Sequence, residues 1–118
     1  MRDISSILTH DHEAVMKILY ISLLSAIFSL SAFAGTAEVR IEKMKFVPHE
    51  IRIKAGDTVV WTSYEKRGYH MVWFEGEGLA ASEPMFPEES WRRTFDQKGE
   101  YRYRCSPHEE MTGLVVVE

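Results

Sequence analysis

The chain carries a single cysteine among its 118 residues, so no disulfide can form within it. A Cys-x-x-Cys-His run is therefore absent as well, which excludes covalently attached c-type haem. There is no excess of basic charge: 14 Lys+Arg against 18 Asp+Glu give a formal net charge of −4. A nucleic-acid partner, which calls for a basic face, is not expected. No internal repeat, low-complexity tract or linker divides the chain, and no convincing long helix shows in its pattern. What remains is enough for one domain with a modest core. A lone cysteine in an exported protein is left for pairing with another chain or for chemistry.

Export is indicated near the N-terminus. Lys17 precedes the uncharged run Ile18 to Phe33, which ends in Ala32-Phe33-Ala34 with small residues at the two positions a signal peptidase inspects. Residues 16–34 have the layout of a secretory signal peptide cleaved after Ala34. As an uncleaved anchor the run would span roughly 25 Å at about 1.5 Å per residue, short of the ~30 Å hydrocarbon core. A membrane association is expected only if that segment is retained. Residues 1–15 place acids, His10 and His12 ahead of the basic start. Met16 is expected to be the true start and 1–15 a non-native extension. The folded domain is then 35–118, 84 residues with 12 Lys+Arg and 15 Asp+Glu.

Across 35–118 short alternating runs are separated by turn residues, the pattern of an all-β sandwich or barrel with about seven strands. Val39 and Ile41 alternate with Arg40 and Glu42, after which the apolar phase moves to Met44 and Phe46. That slip predicts a bend or bulge near Lys43. Ile51 and Ile53 form the next apolar pair, Ala55-Gly56-Asp57 a turn, and Thr58–Thr62 a central strand. Tyr69–Phe74 is expected to be a strand after the polar loop 65–68. Residues 75–89 are expected to be irregular, with a helical turn near Leu79–Ser82. In the strand Ser90–Phe95, Arg93 shares a face with Trp91 and Phe95 and must snorkel or sit on a bulge. Tyr101, Tyr103 and Cys105 then share an inward face, and Arg102 and Arg104 an outward, solvated one. Gly113 is expected to turn the chain into the last strand, Leu114–Val117.

The densest chemistry is Cys105-Ser106-Pro107-His108-Glu109-Glu110-Met111, which puts a thiol, an imidazole and a thioether within seven residues. Pro107 stiffens the turn and removes a backbone donor. A fourth donor must come from elsewhere. In 35–118 the other histidines are His49, in a polar turn, and His70, on an apolar segment where an unpaired imidazole is poorly placed. Taken singly, a Cys or His on an apolar strand is ordinary core; their joint spacing is what points to a metal. Two imidazoles, one thiolate and a weak axial thioether describe a blue-copper electron-transfer site, whereas a structural zinc site does without Met.

These stretches resemble the plastocyanin-like cupredoxins. Cys-Ser-Pro-His-Glu-Glu-Met followed by Thr-Gly-Leu-Val-Val-Val-Glu looks like the family's C-terminal end, its short loop most like that of amicyanin. Met44–Phe46 through Ile53–Trp61 and the run Gly99–Cys105 are similar to the opening strands and to the strand feeding the copper loop. The resemblance covers residues 37–118. It implies a Greek-key sandwich of about eight strands, with His70, Cys105, His108 and Met111 as ligands of one type 1 copper ion. One departure stands out: Tyr69-His70-Met71 replaces the family's usual Pro-His-Asn. The hydrogen bond that the Asn commonly makes toward the residue after Cys, Ser106 here, must be missing or replaced.

The function expected from this is a periplasmic, monomeric single-electron carrier and not an enzyme, since four protein ligands leave no open position. Glu109 and Glu110 suggest a basic partner face, on a c-type cytochrome or a periplasmic dehydrogenase. The alternative is a copper-binding or copper-delivery protein without an electron-transfer role. A further alternative has Glu109 or Glu110 in place of Met111 as axial ligand.

Overall fold

The computed structural model describes residues 33–118. The extension 1–15 and the export segment, apart from its last two residues, lie outside the described part. Seven strands run over Thr36–Glu42 (β1), Lys45–Val47 (β2), Glu50–Ile53 (β3), Thr58–Ser63 (β4), Ser90–Thr94 (β5), Gly99–Cys105 (β6) and His108–Val117 (β7). They form a four-stranded sheet in the order β2-β1-β4-β5 and a three-stranded sheet in the order β3-β7-β6. β1 runs parallel to β4 and β3 parallel to β7, while the remaining neighbours are antiparallel. Both parallel pairs arise because the chain leaves the first sheet for β3, returns for β4 and β5, and leaves again for β6 and β7.

Period-two alternation places the core between the sheets. Val39 and Ile41 of β1, Val59 and Trp61 of β4, Tyr103 and Cys105 of β6, and Val115 and Val117 of β7 are buried in it with Phe46, Phe74 and Phe95. Trp61 is fully buried, its ring centroid 5.4 Å from those of Tyr103 and Trp91. β4 is a central strand, as its β-branched and aromatic content requires.

The phase slip at Lys43 is a chain reversal and not a bend within one strand. Glu42 pairs with Lys45, so Lys43 and Met44 are the two residues of a hairpin turn, with φ of 51° and 59°. Positive φ at both central positions matches the twist of the flanking strands, but the turn ordinarily recruits Asn-Gly. Here the Met44 N–H donates to Glu65 Oε1 at 2.8 Å, a tertiary bond that supports a turn whose local sequence does not favour it. Met44 itself is half exposed and does not share the core face with Phe46.

Two other expectations are corrected. The helical turn lies at Glu75–Glu77, not Leu79–Ser82. Gly113 makes no turn and lies inside β7. A Cβ there would overlap the Tyr103 ring, so the glycine is a packing requirement. Arg93 does snorkel: its guanidinium lies 4.5 Å from the Phe74 and Phe95 ring centroids and donates to both Glu77 carboxylate oxygens at 2.7 and 2.8 Å. That bidentate pair pins the Glu75–Glu77 turn over the end of the core.

Candidate metal centre

The three donors of the Cys105–Met111 stretch sit on a hairpin tighter than the sequence suggested. β6 ends at Cys105 and β7 begins at His108, and these two residues pair across the ladder with only Ser106 and Pro107 between them. The register then jumps: Arg104 pairs with Thr112 while Cys105 pairs with His108. Glu109, Glu110 and Met111 are therefore extra residues on β7 with no partner on β6. An odd insertion resets which face each side chain takes. Glu109 and Glu110 are exposed, and Met111 is turned inside at 4% exposure.

His70 arrives from a segment that is not a strand, contrary to expectation. Its hydrogen bonds are dispersed among unlike partners, so no ladder forms. The His70 N–H and C=O bond to Met85, and those of Trp73 bond to Arg104, as isolated bridges. The Val72 N–H donates to Ser82 Oγ at 2.8 Å. Between them the Met71 N–H donates to Cys105 Sγ at 3.4 Å. The segment is thus tied to the sulfur, to Ser82 and to the back of β6 at once, and His70 is held at 2% exposure.

These constraints bring His70, Cys105 and His108 together. Cys105 Sγ lies 3.7 Å from His70 Nδ1 and 3.4 Å from His108 Nδ1. One potential ligand atom from each residue lies within 4.8 Å of the others, the one such group of His, Cys, Asp or Glu among the described residues. His49 is not part of it: it is exposed, and its Nε2 is 3.3 Å from Thr112 Oγ1.

Glu65, read from sequence only as part of a polar loop, supports the site from behind. Its Oε1 lies 3.3 Å from His70 Nε2. A proton held on Nε2 by the carboxylate leaves Nδ1, the atom facing the sulfur, with its lone pair free. Burial lowers the His70 pKa, with Glu65 opposing and His108 adding to the fall, so the ring is neutral at neutral pH. Burial raises the Cys105 thiol pKa, with the Met71 and His108 backbone N–H groups and the Arg104 charge opposing. Metal uptake must displace that thiol proton, so affinity increases with pH.

Arg104 is the other residue that sequence reasoning misplaced. It was expected on a solvated face. Instead it is half-buried, its guanidinium 4.6 Å from the Trp73 ring centroid and its Nε 3.2 Å from Glu75 Oε1. Its remaining fork donates to the carbonyl oxygens of Cys105 and Ser106 at 3.3 and 3.2 Å. A positive charge is thus held against the backbone of the turn. It would disfavour the higher oxidation state of a metal bound there, and Glu75 would partly cancel it. Arg104→Gln is expected to lower the reduction potential of the loaded protein and Glu75→Gln to raise it. For a partly screened unit charge the effect is of order 1 kcal/mol, or tens of millivolts. Voltammetry of the two variants checks the opposite signs; shifts of the same sign would show that the effect is not electrostatic.

The donor chemistry fits a soft or borderline transition metal. A thiol and two imidazole Nδ1 atoms converge, a thioether is buried on the same hairpin, no carboxylate joins the group, and Glu65 bonds to His70 through Nε2, the ring nitrogen away from the sulfur. Hard cations prefer all-oxygen sites, whereas this set suits copper. The fold and site together define a small copper-binding β-sandwich.

Comparison with known proteins agrees. The profile of copper binding proteins of the plastocyanin/azurin family matches residues 33–118, and the chain belongs to that family. It is 41% identical over 88 residues to amicyanin-alpha of Methylorubrum extorquens, covering 72% of this chain and 74% of that protein. It is 38% identical over 88 residues to the amicyanin of Paracoccus versutus, covering 72% of this chain and 67% of that one. Among solved structures, the Paracoccus versutus amicyanin crystal structure superposes with a TM-score of 0.64 at 39% identity, covering 76% of this chain and 86% of that one. A Cu(I) form of an amicyanin variant gives a TM-score of 0.67 at 38% identity, covering 73% and 90%. The protein is a blue copper electron carrier of the cupredoxin fold, with copper as its cofactor, and is not an enzyme.

Proposed function

We propose that His70, Cys105, His108 and Met111 hold the copper, one ion per chain, and that the domain 35–118 works in the periplasm after cleavage behind Ala34. The observation that carries the ligand set is the approach of both imidazole Nδ1 atoms to one buried sulfur. Met111 is preferred over Glu109 and Glu110 as the fourth donor because it is buried and they are exposed.

The copper supplies a one-electron couple between its two common oxidation states. The chain's own residues do the rest. The two-residue turn and the ladder pair Cys105↔His108 fix two donors relative to each other. Glu65 and the bridge to Met85 fix His70. A donor set that cannot rearrange keeps the geometry similar in both states. The same rigidity favours cycling over the delivery alternative, which requires the site to open.

His108 is half-buried, and with Met44, Arg67, Gly68, Tyr69, His70 and Pro107 it lines a shallow surface depression of about 240 Å³. Its ring is the electron exit, and this mostly uncharged depression is where a partner docks. Small, transient interfaces suit such carriers. Glu109 and Glu110, exposed one and two residues beyond His108, favour a basic partner face such as that of a c-type cytochrome or a periplasmic dehydrogenase. The test is the rate of electron exchange with a basic c-type cytochrome. It should fall with rising ionic strength, and fall severalfold in the Glu109→Lys/Glu110→Lys double variant with the visible spectrum unchanged. A rate indifferent to both removes the acidic pair from docking.

A further inference from the structure

The N-terminal edge of the domain carries a backbone nitrogen in an unusual setting. The Gly35 N–H donates to Asp57 Oδ1 at 2.7 Å, while Asp57 Oδ2 accepts the Lys54 N–H at 2.9 Å. Gly35 is also held by its carbonyl, which accepts the Thr58 N–H at 3.0 Å immediately before the first ladder pair, Thr36↔Thr58.

The carboxylate is not a loose surface group. Asp57 closes the turn after β3: its N–H donates to Lys54 O at 3.0 Å, and Gly56 takes a φ of 96°. The turn is tied to the end of β5, where Gly56 N–H donates to Phe95 O and Phe95 N–H to Asp57 O. Lys54 is the one charged side chain acting on the carboxylate. The Asp57 pKa is lowered, first by the Gly35 N–H, then by the Lys54 N–H and the Lys54 charge.

Gly35 is also the residue that the small-residue rule at Ala32 and Ala34 makes the first of the processed chain. The peptidase site and the strand edge thus meet on the same nitrogen. We infer that Asp57 is a socket for the new N-terminus: cleavage after Ala34 turns the neutral Gly35 amide into an ammonium that pairs with the Asp57 carboxylate and clips β1 to β4. The inference rests on the cleavage reading. An amide offers this carboxylate one neutral donor; an ammonium offers a full charge and three donors. The charged pair exists only in the processed chain, so processing tightens the strand that begins the sandwich. It also withholds the terminal amine from reagents and exopeptidases that need it free.

The experiment uses the copper-loaded protein recovered after export of the full chain. Mass spectrometry identifies the first residue, and NMR then follows the α-amine of Gly35 through a pH titration in the native protein and in Asp57→Asn. An ordinary α-amine titrates near 7.7–8.0, and an opposite charge in contact raises that by about one unit. The expected result is an amine about one unit high in the native protein and ordinary in Asp57→Asn, with roughly tenfold slower acylation of the native amine at neutral pH. A product beginning at Gly35 whose amine titrates at the ordinary value overturns the socket and leaves the cleavage reading standing. A product beginning elsewhere overturns both. If Asp57→Asn fails to accumulate, the native titration alone still decides.

Discussion

Replacing Cys105 with alanine is expected to abolish the visible thiolate-to-copper band completely and to remove tight copper binding, while leaving the apo-protein folded. Cys105 is the only thiol in the chain, so no other anionic sulfur can take its place. Its Sγ is the atom on which both imidazole Nδ1 atoms converge and to which the Met71 N–H points. Alanine keeps the backbone pairing with His108 and deletes one buried atom, at a folding cost of about 1 kcal/mol. Spectroscopic loss and structural cost are therefore far apart, which a purely structural cysteine would not show. Met111→Ala should behave differently: the band persists but shifts, because a weak axial donor tunes the site without creating its colour. Visible absorption and EPR of the copper-loaded variants decide both. A band that survives Cys105→Ala would sink the assignment, and an unchanged spectrum in Met111→Ala would remove the thioether from the ligand set.

The second large effect is expected at a residue that offers no donor atom. Gly113→Ala should destabilise the apo-protein by about 2–3 kcal/mol, because the added Cβ would overlap the Tyr103 ring. For a domain of this size that is a fall of roughly 10 °C or more in Tm. Tyr103 cannot simply retreat. It is buried at 3% exposure and packed edge-on against Phe46 and Trp61, with ring centroids 4.8 and 5.4 Å away. The measurement is calorimetry of Gly113→Ala in the native background and in Tyr103→Leu. The cost should shrink in the second, since neighbours that collide are not additive. An equal cost in both would show that backbone conformation, and not the Tyr103 ring, requires the glycine. Because Tyr103 lies two residues before Cys105 on the same inward face, the variant also tests how firmly β6 presents its cysteine.

Much of this was legible in the residues themselves. Alternation of period two located six of the seven strands near their places and aimed Cys105 inward. The pattern misled at Tyr69–Phe74, where alternating apolar residues look like a strand. The backbone there bonds instead to a sulfur, a serine hydroxyl and two separate segments. It misled again at Lys43-Met44, because a turn needing positive φ at two residues carries no Asn or Gly to announce it. Gly113 reads as a turn because glycine is ambiguous in one dimension; only the Tyr103 ring shows why it is there. The loss of the family's Asn beside His70 is legible in the sequence, but what supports the site without it is not. The Met71 amide can do so because every residue except proline has an N–H, and Glu65 because a loop brings it back to the ring, and neither leaves a motif.

The sequence alone determined the chemistry: one thiol, an imidazole and a thioether at fixed spacing, a second imidazole on an apolar segment, and an alternation that builds a sandwich. Donor identity is a property of side chains, and strand phase a property of local periodicity, so both can be read along the chain. The tertiary structure decided what depends on separated residues meeting. It placed Glu65 behind His70, set Arg104 against the turn between Trp73 and Glu75, and bulged three residues of β7 so that Met111 faces inward and two glutamates face out. It also seated Gly35 on Asp57 across 22 residues of chain. Each of these is a hydrogen bond or a register shift between distant segments, and no local pattern encodes where such partners come together.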